Sequence, residues 1–388
     1  MQEAVIVSAA RTAIGKANKG TLKDTHPVEF GAKLIQGLLE RTPGLDPADV
    51  DDVMLGCAMP EGEQGLNMAR LIALRAGLPV SVPATTLNRF CSSGSQTIGW
   101  AADVIRSGNA DVIIAGGVES MSTVPMSGYK PSADPGLMDA TPASYDAMGA
   151  TAEEVARRFE VSREDQDAFG YGSHQKAVAA QGAGKFDDQI VPIEVEVHQG
   201  GEWHTVTFNK DEGPRADTSL EVLGRLRPAF NPRGTVTAGT SSQMSDGAGA
   251  VVVMSRRKAE ELGLTPIATL RHWAVAGVEP DVMGIGPVAA VPKLLSRTGL
   301  SVDDIDLFEL NEAFASQALY CMRELGLDAD KVNVNGGAIA SGHPLGATGA
   351  VLTVKLLSEL KARGAQRGIV TMCIGGGMGF AYLLERAA

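Results

Sequence analysis

The chain has 388 residues, of which 44% are apolar and 21% charged, and its formal net charge is −12. That length exceeds what one ordinary core organises and points to two or three domains of a globular protein, not a disordered one. The acidic balance argues against a general nucleic-acid or anionic-membrane surface, and leaves any anionic ligand to a local basic patch. Cys57, Cys91, Cys321 and Cys373 show no CxxC or metal-ligand spacing and read as free thiols of a reducing compartment.

Residues 4–9 read as a buried strand that follows the first residues directly. No charged leader, Arg-rich transit segment, membrane-length apolar run or peroxisomal tripeptide is recognisable, so a cytoplasmic location without a membrane span is expected. Residues 27–41 carry apolar positions at helical spacing, with Pro27 near the start. A short acidic helix start at 45–51 leads into a strand ending at Gly56, and 67–76 reads as a helix. The apolar stretch 82–90 predicts a strand, 95–106 a helix and 111–118 a strongly apolar strand. Strands alternating with helices imply a mostly parallel, covered sheet.

Cys91 stands where a strand turns into a helix, followed by the small residues Ser92, Ser93 and Gly94. Unpaired N–H groups and the dipole at a helix start favour negative charge, which predicts a thiolate nucleophile. The competing reading is a small buried hydrophobe.

From Glu119 the texture changes. Residues 119–148 have no period and read as loop, 151–159 and 163–181 as helices, the second opened by Ser162 and Asp165, and 185–222 as short strands and turns. This block reads as an insertion that covers something. In 234–254 a glycine-rich turn and a small-residue helix are expected to run into a buried strand.

The last third repeats the first. Leu300, Asp304, Asp306 and Leu310 match Leu45, Asp49, Asp51 and Leu55 at a constant offset of 255. The block 336–349 takes the place of the Cys91 turn before a second helix, 350–363, and 368–379 parallels 111–117. Two copies of one α/β domain follow: a first half, 1–118, completed by 246–270; an inserted loop domain, 119–245, over the active site; and a second half, 271–388.

Duplication brings equivalent loops together, and three reactive side chains lie in such loops: Cys91, His343 on the matching turn, and Cys373 at a matching strand end. Two thiols and an imidazole suffice for a nucleophile, its activating base and a second acid/base. Asn311 ends a strand; it reads as a helix N-cap, or as the holder of a water or oxyanion. The N–H groups of Cys91 and Gly375 are natural oxyanion donors. The chain has no Walker A, Rossmann fingerprint, HExxH or EF-hand pattern, so phosphate-loop and metal mechanisms lose their support.

The blocks Asn88-Arg-Phe-Cys-Ser-Ser-Gly, Asn311-Glu-Ala-Phe, Gly336-Gly-Ala-Ile-Ala-Ser-Gly-His-Pro-Leu-Gly-Ala-Thr-Gly and Cys373-Ile-Gly-Gly-Gly-Met-Gly resemble the four signature blocks of the thiolase family, in order and over nearly the whole chain. The resemblance implies an α/β fold with two βαβαβαββ half-domains in five αβαβα layers, and a loop domain inserted in the first half. It implies acyl-CoA and CoA as substrates, no separate cofactor, and a homodimer or homotetramer, with a β-oxidation multienzyme complex as a further partner. It gives Cys91 the role of acylated nucleophile. His343 is its activator, and Cys373 the acid/base at the acetyl-CoA α-carbon. Asn311 holds an oxyanion-hole water, and Gly375 joins Cys91 in a second hole.

For coenzyme A the resemblance points to Met148, Arg215, Phe230, Ala238, Ser242, Ala313 and Phe314. Members acting on acetoacetyl-CoA often carry a His where this chain has Ala147. The expectation is therefore a degradative 3-ketoacyl-CoA thiolase of fatty-acid β-oxidation; the alternative is an acetoacetyl-CoA thiolase. A related condensing enzyme or a silent lipid carrier would not keep Cys91, Asn311, His343 and Cys373 together.

Overall fold

A computed structural model describes residues 2–387. Its strands are β1 (Ala4–Arg11), β2 (Gly15–Lys16), β3 (Asp52–Gly56), β4 (Ala84–Leu87), β5 (Val112–Ser120), β6 (Ile193–Gln199), β7 (Glu202–Phe208), β8 (Ser245–Ser255), β9 (Ala268–Gly277), β10 (Leu307–Leu310), β11 (Arg367–Ile374) and β12 (Met378–Arg386). The main sheet runs β10-β11-β12-β9-β1-β8-β5-β3-β4, with β2 added on β8.

Side chains of these strands alternate between two apolar faces, as a sheet covered on both sides requires. Val112, Ile114, Val252 and Met254 pack with Phe30, Leu34 and Ile72 of helices Pro27–Glu40 and Met68–Arg75. Their neighbours Ile113, Ala115, Val251 and Val253 pack on the opposite face with Ile98 and Ile105 of helix Ser93–Ser107. That same cluster holds Leu352 and Leu356 of helix Leu345–Arg363, and Val370, Met372, Phe380 and Tyr382 of the other half. Ile369, Ala381 and Leu383 point away from it, against Val291, Leu294 and Cys321 of helices Gly286–Thr298 and Ala315–Leu325. The result is five layers: helices, half-sheet, a shared helical layer, half-sheet, helices.

The halves are copies at the level of single hydrogen-bonded pairs. Parallel β3 and β5 pair Asp52 with Ile113 through Leu55 with Gly116, and β10 and β11 pair Leu307 with Gly368 through Leu310 with Thr371, the same register moved by 255 residues. Antiparallel β5·β8 and β8·β1 correspond to β11·β12 and β12·β9. The half-sheets join edge to edge through Val5–Thr269 and Ile6–Ala268. Strand β9 therefore runs across residue 270, where the sequence reading divides the halves.

Differences from the sequence reading have local causes. The small-residue helix expected in 234–254 is not formed: Ser245–Ser255 is strand throughout, and only Ala238–Thr240 makes a short helical turn. A Cβ on Gly249 would sit 2.9 Å from the backbone nitrogen of Val351, so the glycines serve close strand-to-helix packing. The second central helix starts at Leu345, a turn earlier than its apolar period suggests, because Pro344 ends the preceding extended segment. The loop expected at 119–148 contains helix Pro135–Ala140.

The insertion is tied to the first strand by Arg11, which is 1% exposed and grips both oxygens of Asp211 at 2.8 and 2.9 Å. Removing one partner of such a buried pair typically costs about 3–5 kcal/mol. Among the described residues, no helix is long and apolar enough to cross a membrane.

A Cβ on Gly117 would overlap the backbone oxygen of Gly346 and lie 3.0 Å from the Ala347 Cα. Gly117→Ala is expected to lower unfolding free energy by about 1–3 kcal/mol, the usual cost of overpacking, and to lower activity as well, because the displaced helix follows His343. Urea denaturation and a steady-state assay check both; unchanged stability would contradict the packing described.

Candidate active site

The Cys91 turn is locked by its own side chains. Asn88 Oδ1 accepts the Phe90 N–H at 2.8 Å, and Ser93 Oγ accepts from Arg89 N–H at 2.9 Å while donating to the Phe90 carbonyl at 2.6 Å. Phe90 is held at φ +44°, left-handed for a residue with a Cβ. Such conformations cost on the order of 1–3 kcal/mol and persist where the surroundings over-determine them. The turn Phe90–Ser92 packs on helix Leu345–Arg363 and on β11, so parts of both halves meet at Cys91.

Gly375, where a Cβ would lie 3.7 Å from the Phe90 ring, starts a turn in which Gly376 and Gly377 have φ +79° and +84°. The backbone N–H groups of Gly375 and Cys91 both favour the charged form of the Cys91 sulfur. Burial outweighs these donors and, with a smaller push from Glu119, raises the thiol to about 12. The thiolate expected from the helix start is not the resting state; the desolvation of this buried side chain exceeds what the dipole returns.

His343 lies on the matching turn and is 5% exposed. Its N–H reaches the Gln243 carbonyl at 3.0 Å. Nδ1 lies 2.6 Å from Thr348 Oγ1, whose single proton goes to the Pro344 carbonyl at 2.9 Å. The hydroxyl thus accepts from Nδ1–H, and Nε2 carries the lone pair. The Asn311 amide nitrogen is 3.3 Å from Nε2, and its Oδ1 is buried without a partner. Burial lowers His343 to about 4, so it is a neutral base at physiological pH.

Cys373 is fully buried beside Met148, Ala152, Val236, Met283, Ala313 and Phe314. Burial, then the neighbouring Cys91 and Cys321, push its thiol well above the ordinary range. The resting site therefore holds two thiols and a neutral imidazole.

Of the residues anticipated for coenzyme A, Met148, Ala313 and Phe314 are gathered at Cys373. The Phe230 ring meets Phe314 edge-on at 5.9 Å, and Ser242 N–H donates to the Ala313 carbonyl at 2.9 Å. Ala238 is exposed on its short turn, three residues before the Ser241–Phe314 bridge. Arg215 is exposed, paired with Asp217 at 3.1 Å, and its backbone N–H donates to His174 Nδ1 at 3.2 Å; these contacts do not join it to the Phe230–Phe314 group.

Sequence reasoning passed over three side chains. Thr348 lies inside the His343 block, five residues on. Glu119, a lone acid closing the most apolar strand, is 1% exposed. Glu312, beside Asn311, is buried and held by Ser173 at 2.6 Å and Asn333 at 2.9 Å. Among the described residues, no group of three or more His, Cys, Asp or Glu could hold a metal ion.

The thiolase N-terminal domain description matches residues 4–257 and the thiolase C-terminal domain description residues 264–386. The chain belongs to the thiolase family. It is 56% identical to a 3-ketoacyl-CoA thiolase of Bacillus subtilis, over 99% of this chain and 100% of that protein. It is 49% identical to an acetyl-CoA acetyltransferase of Chromobacterium violaceum, over 99% and 100%. The crystal structure of the Bacillus anthracis acetyl-CoA acetyltransferase superposes with a TM-score of 0.92 at 42% identity, covering 100% of this chain and 99% of that one. The thiolase fold and acyltransferase class expected from the sequence thus hold.

Thr348→Val keeps the side-chain shape and removes the partner of Nδ1. It is expected to lower kcat by roughly tenfold to a hundredfold, part of what a positioned base supplies, with KM little changed and Thr348→Ser restoring activity. Nitrogen NMR of the imidazole would show the Nδ1–H tautomer in the parent protein and a mixture in the valine variant. Cys91 carbamoylmethylation, located by mass spectrometry, should still be climbing at about pH 10; levelling near the ordinary thiol value of 9 would contradict a resting thiol raised to about 12.

Proposed function

We propose that the chain cleaves 3-ketoacyl-CoA with coenzyme A to acetyl-CoA and a shortened acyl-CoA, through an acyl thioester on Cys91. The observation that carries this reading is the packing of the Cys91 turn against both helix Leu345–Arg363, which follows His343, and β11, which holds Cys373, with the N–H groups of Cys91 and Gly375 favouring charge on the Cys91 sulfur. Two N–H donors at one point suit an oxygen that gains charge during acyl transfer.

The Cys91 sulfur attacks the 3-keto carbon while its proton passes to His343 Nε2. The bond between C2 and C3 then breaks, leaving the acyl group on sulfur and the electron pair on the departing acetyl-CoA enolate. His343 Nε2–H and a water held by Asn311 stabilise the enolate oxygen, and the Cys373 S–H protonates the α-carbon. The incoming coenzyme A thiol gives its proton to Cys373 and attacks the thioester, whose oxygen is held by the Cys91 and Gly375 N–H groups. Thiol and acyl-CoA are regenerated. Losing one such oxyanion donor typically costs about 3–4 kcal/mol of barrier.

The name of the Bacillus subtilis relative and the small Ala147 at the start of helix Met148–Arg158 support the degradative role. The acetyl-CoA acetyltransferase names of the other relatives favour condensation of two acetyl-CoA as a second reading. A cytoplasmic homodimer or homotetramer completes the proposal.

Cys373→Ala is expected to abolish exchange of the acetyl-CoA α-protons with deuterium oxide while Cys91 still becomes acylated. Retained exchange would remove Cys373 from the role of α-carbon acid. A profile of kcat/KM over 3-ketoacyl-CoA chain lengths decides between the readings: sustained rates beyond four carbons support the degradative one, and activity confined to acetoacetyl-CoA the other.

A further inference from the structure

Glu119, near the end of β5, takes no part in the steps above, yet it is among the most fully bonded side chains of the molecule. One carboxylate oxygen accepts the Ala58 N–H and the Gly346 N–H, each at 2.7 Å. The other accepts from Gln64 Nε2 at 2.8 Å and from the Met59 N–H at 3.3 Å, with the Cys57 sulfur 3.7 Å away. Every partner is a donor. A carboxylic proton would find no acceptor to point at, so although burial alone favours the protonated acid, the donor set fits the anion.

The two N–H groups on one oxygen come from the two halves that meet at Cys91. Ala58 and Leu345 both pack against Cys91. Ala58 belongs to the segment after β3 in the first half, and Gly346 follows Leu345 in the first turn of the helix behind His343. A buried anion at that helix start is favoured by the dipole and by the unpaired amide.

We propose that Glu119 is a positioning residue of the acyl-transfer site, an ionised carboxylate that ties together the segments of both halves around Cys91 and whose charge adds to burial in holding the proton on that sulfur until a substrate carbonyl arrives. The inference rests on reading Cys91 as the acyl carrier. A resting thiolate invites alkylation and oxidation. A thiol of higher basicity is also the stronger nucleophile once its proton leaves, and the charge costs nothing in the neutral thioester. The titratable groups that bear on this point are Cys57 and Cys91. Asp246 of β8 lies alongside, bonded to Ser120 and Ser122.

Glu119→Gln and Glu119→Asp separate charge from geometry, read by Cys91 alkylation with iodoacetamide, by kcat and KM, and by Tm. With the charge removed, Glu119→Gln should alkylate severalfold faster than the parent protein at each pH of the rising limb, and kcat should fall by up to about 100-fold at little-changed KM, as for a small misplacement of reacting groups. Glu119→Asp keeps the charge but is too short to span Ala58 and Gly346. It should alkylate like the parent protein and still lose kcat. Equal alkylation in the parent and Gln proteins, or kcat losses that merely follow Tm in both variants, would overturn the proposal. Should Glu119→Gln not fold, the aspartate variant decides: altered alkylation with the charge retained, or unchanged kcat, refutes it. Alkylation needs no substrate, so failure of the proposed reaction in the parent protein would show separately, as absence of acyl transfer.

Discussion

The site depends on a close approach between two helix starts. Helices Ser93–Ser107 and Leu345–Arg363 cross where Gly94 meets the Gly346 carbonyl and Ser95 meets Gly349. A Cβ on Gly94 would lie 2.8 Å from that carbonyl oxygen, closer than real side chains come. Each helix is the central helix of one half, and each follows a reactive residue, Cys91 in one case and His343 in the other. The same packing that buries Ile98 and Ile105 against Leu352 and Leu356 therefore brings the Cys91 turn against the start of the helix that follows His343. Fold stability and the geometry of the candidate site share one contact.

That contact has an electrostatic consequence. The space around the crossing is too dry for free charges, so Cys91 and Cys373 are held as thiols and His343 as neutral imidazole. In the proposed reaction such a site does not rely on a standing thiolate and makes charge only where donors wait for it, at the Cys91 and Gly375 N–H groups and at the Asn311–His343 pair. Glu119, a carboxylate bonded to Gly346 at the crossing and to Ala58, joins segments of both halves around Cys91.

Much of this was legible in the sequence because duplication leaves a trace that needs no structure. The offset linking Leu45 to Leu300 and Leu55 to Leu310 is the offset that relates the ladders of the two halves, so Cys91, His343 and Cys373 could be referred to equivalent loops. What misled was local chemistry read without burial. A helix start predicted a thiolate at Cys91, and the desolvation that reverses it comes from packing partners scattered along the chain, from Ala17, Ala58 and Met121 to Leu345. Small residues in 245–249 suggested helix, whereas they allow a strand to pass under the Val351 backbone. Arg11 with Asp211, and Glu119 with Gly346, gave no signal, because a buried ion or clamp is defined by partners distant along the chain.

The central claim is that one sulfur carries the acyl group between two thioesters. It is tested most directly by mixing the protein with a 3-ketoacyl-CoA in the absence of added coenzyme A, quenching in acid, and mapping the modified peptide by mass spectrometry. The account predicts one acyl group per chain, shorter than the substrate by the acetyl unit and attached to Cys91. An unmodified chain that nevertheless turns over, or an acyl group carried by Cys373, Cys57 or Cys321 instead, would contradict it.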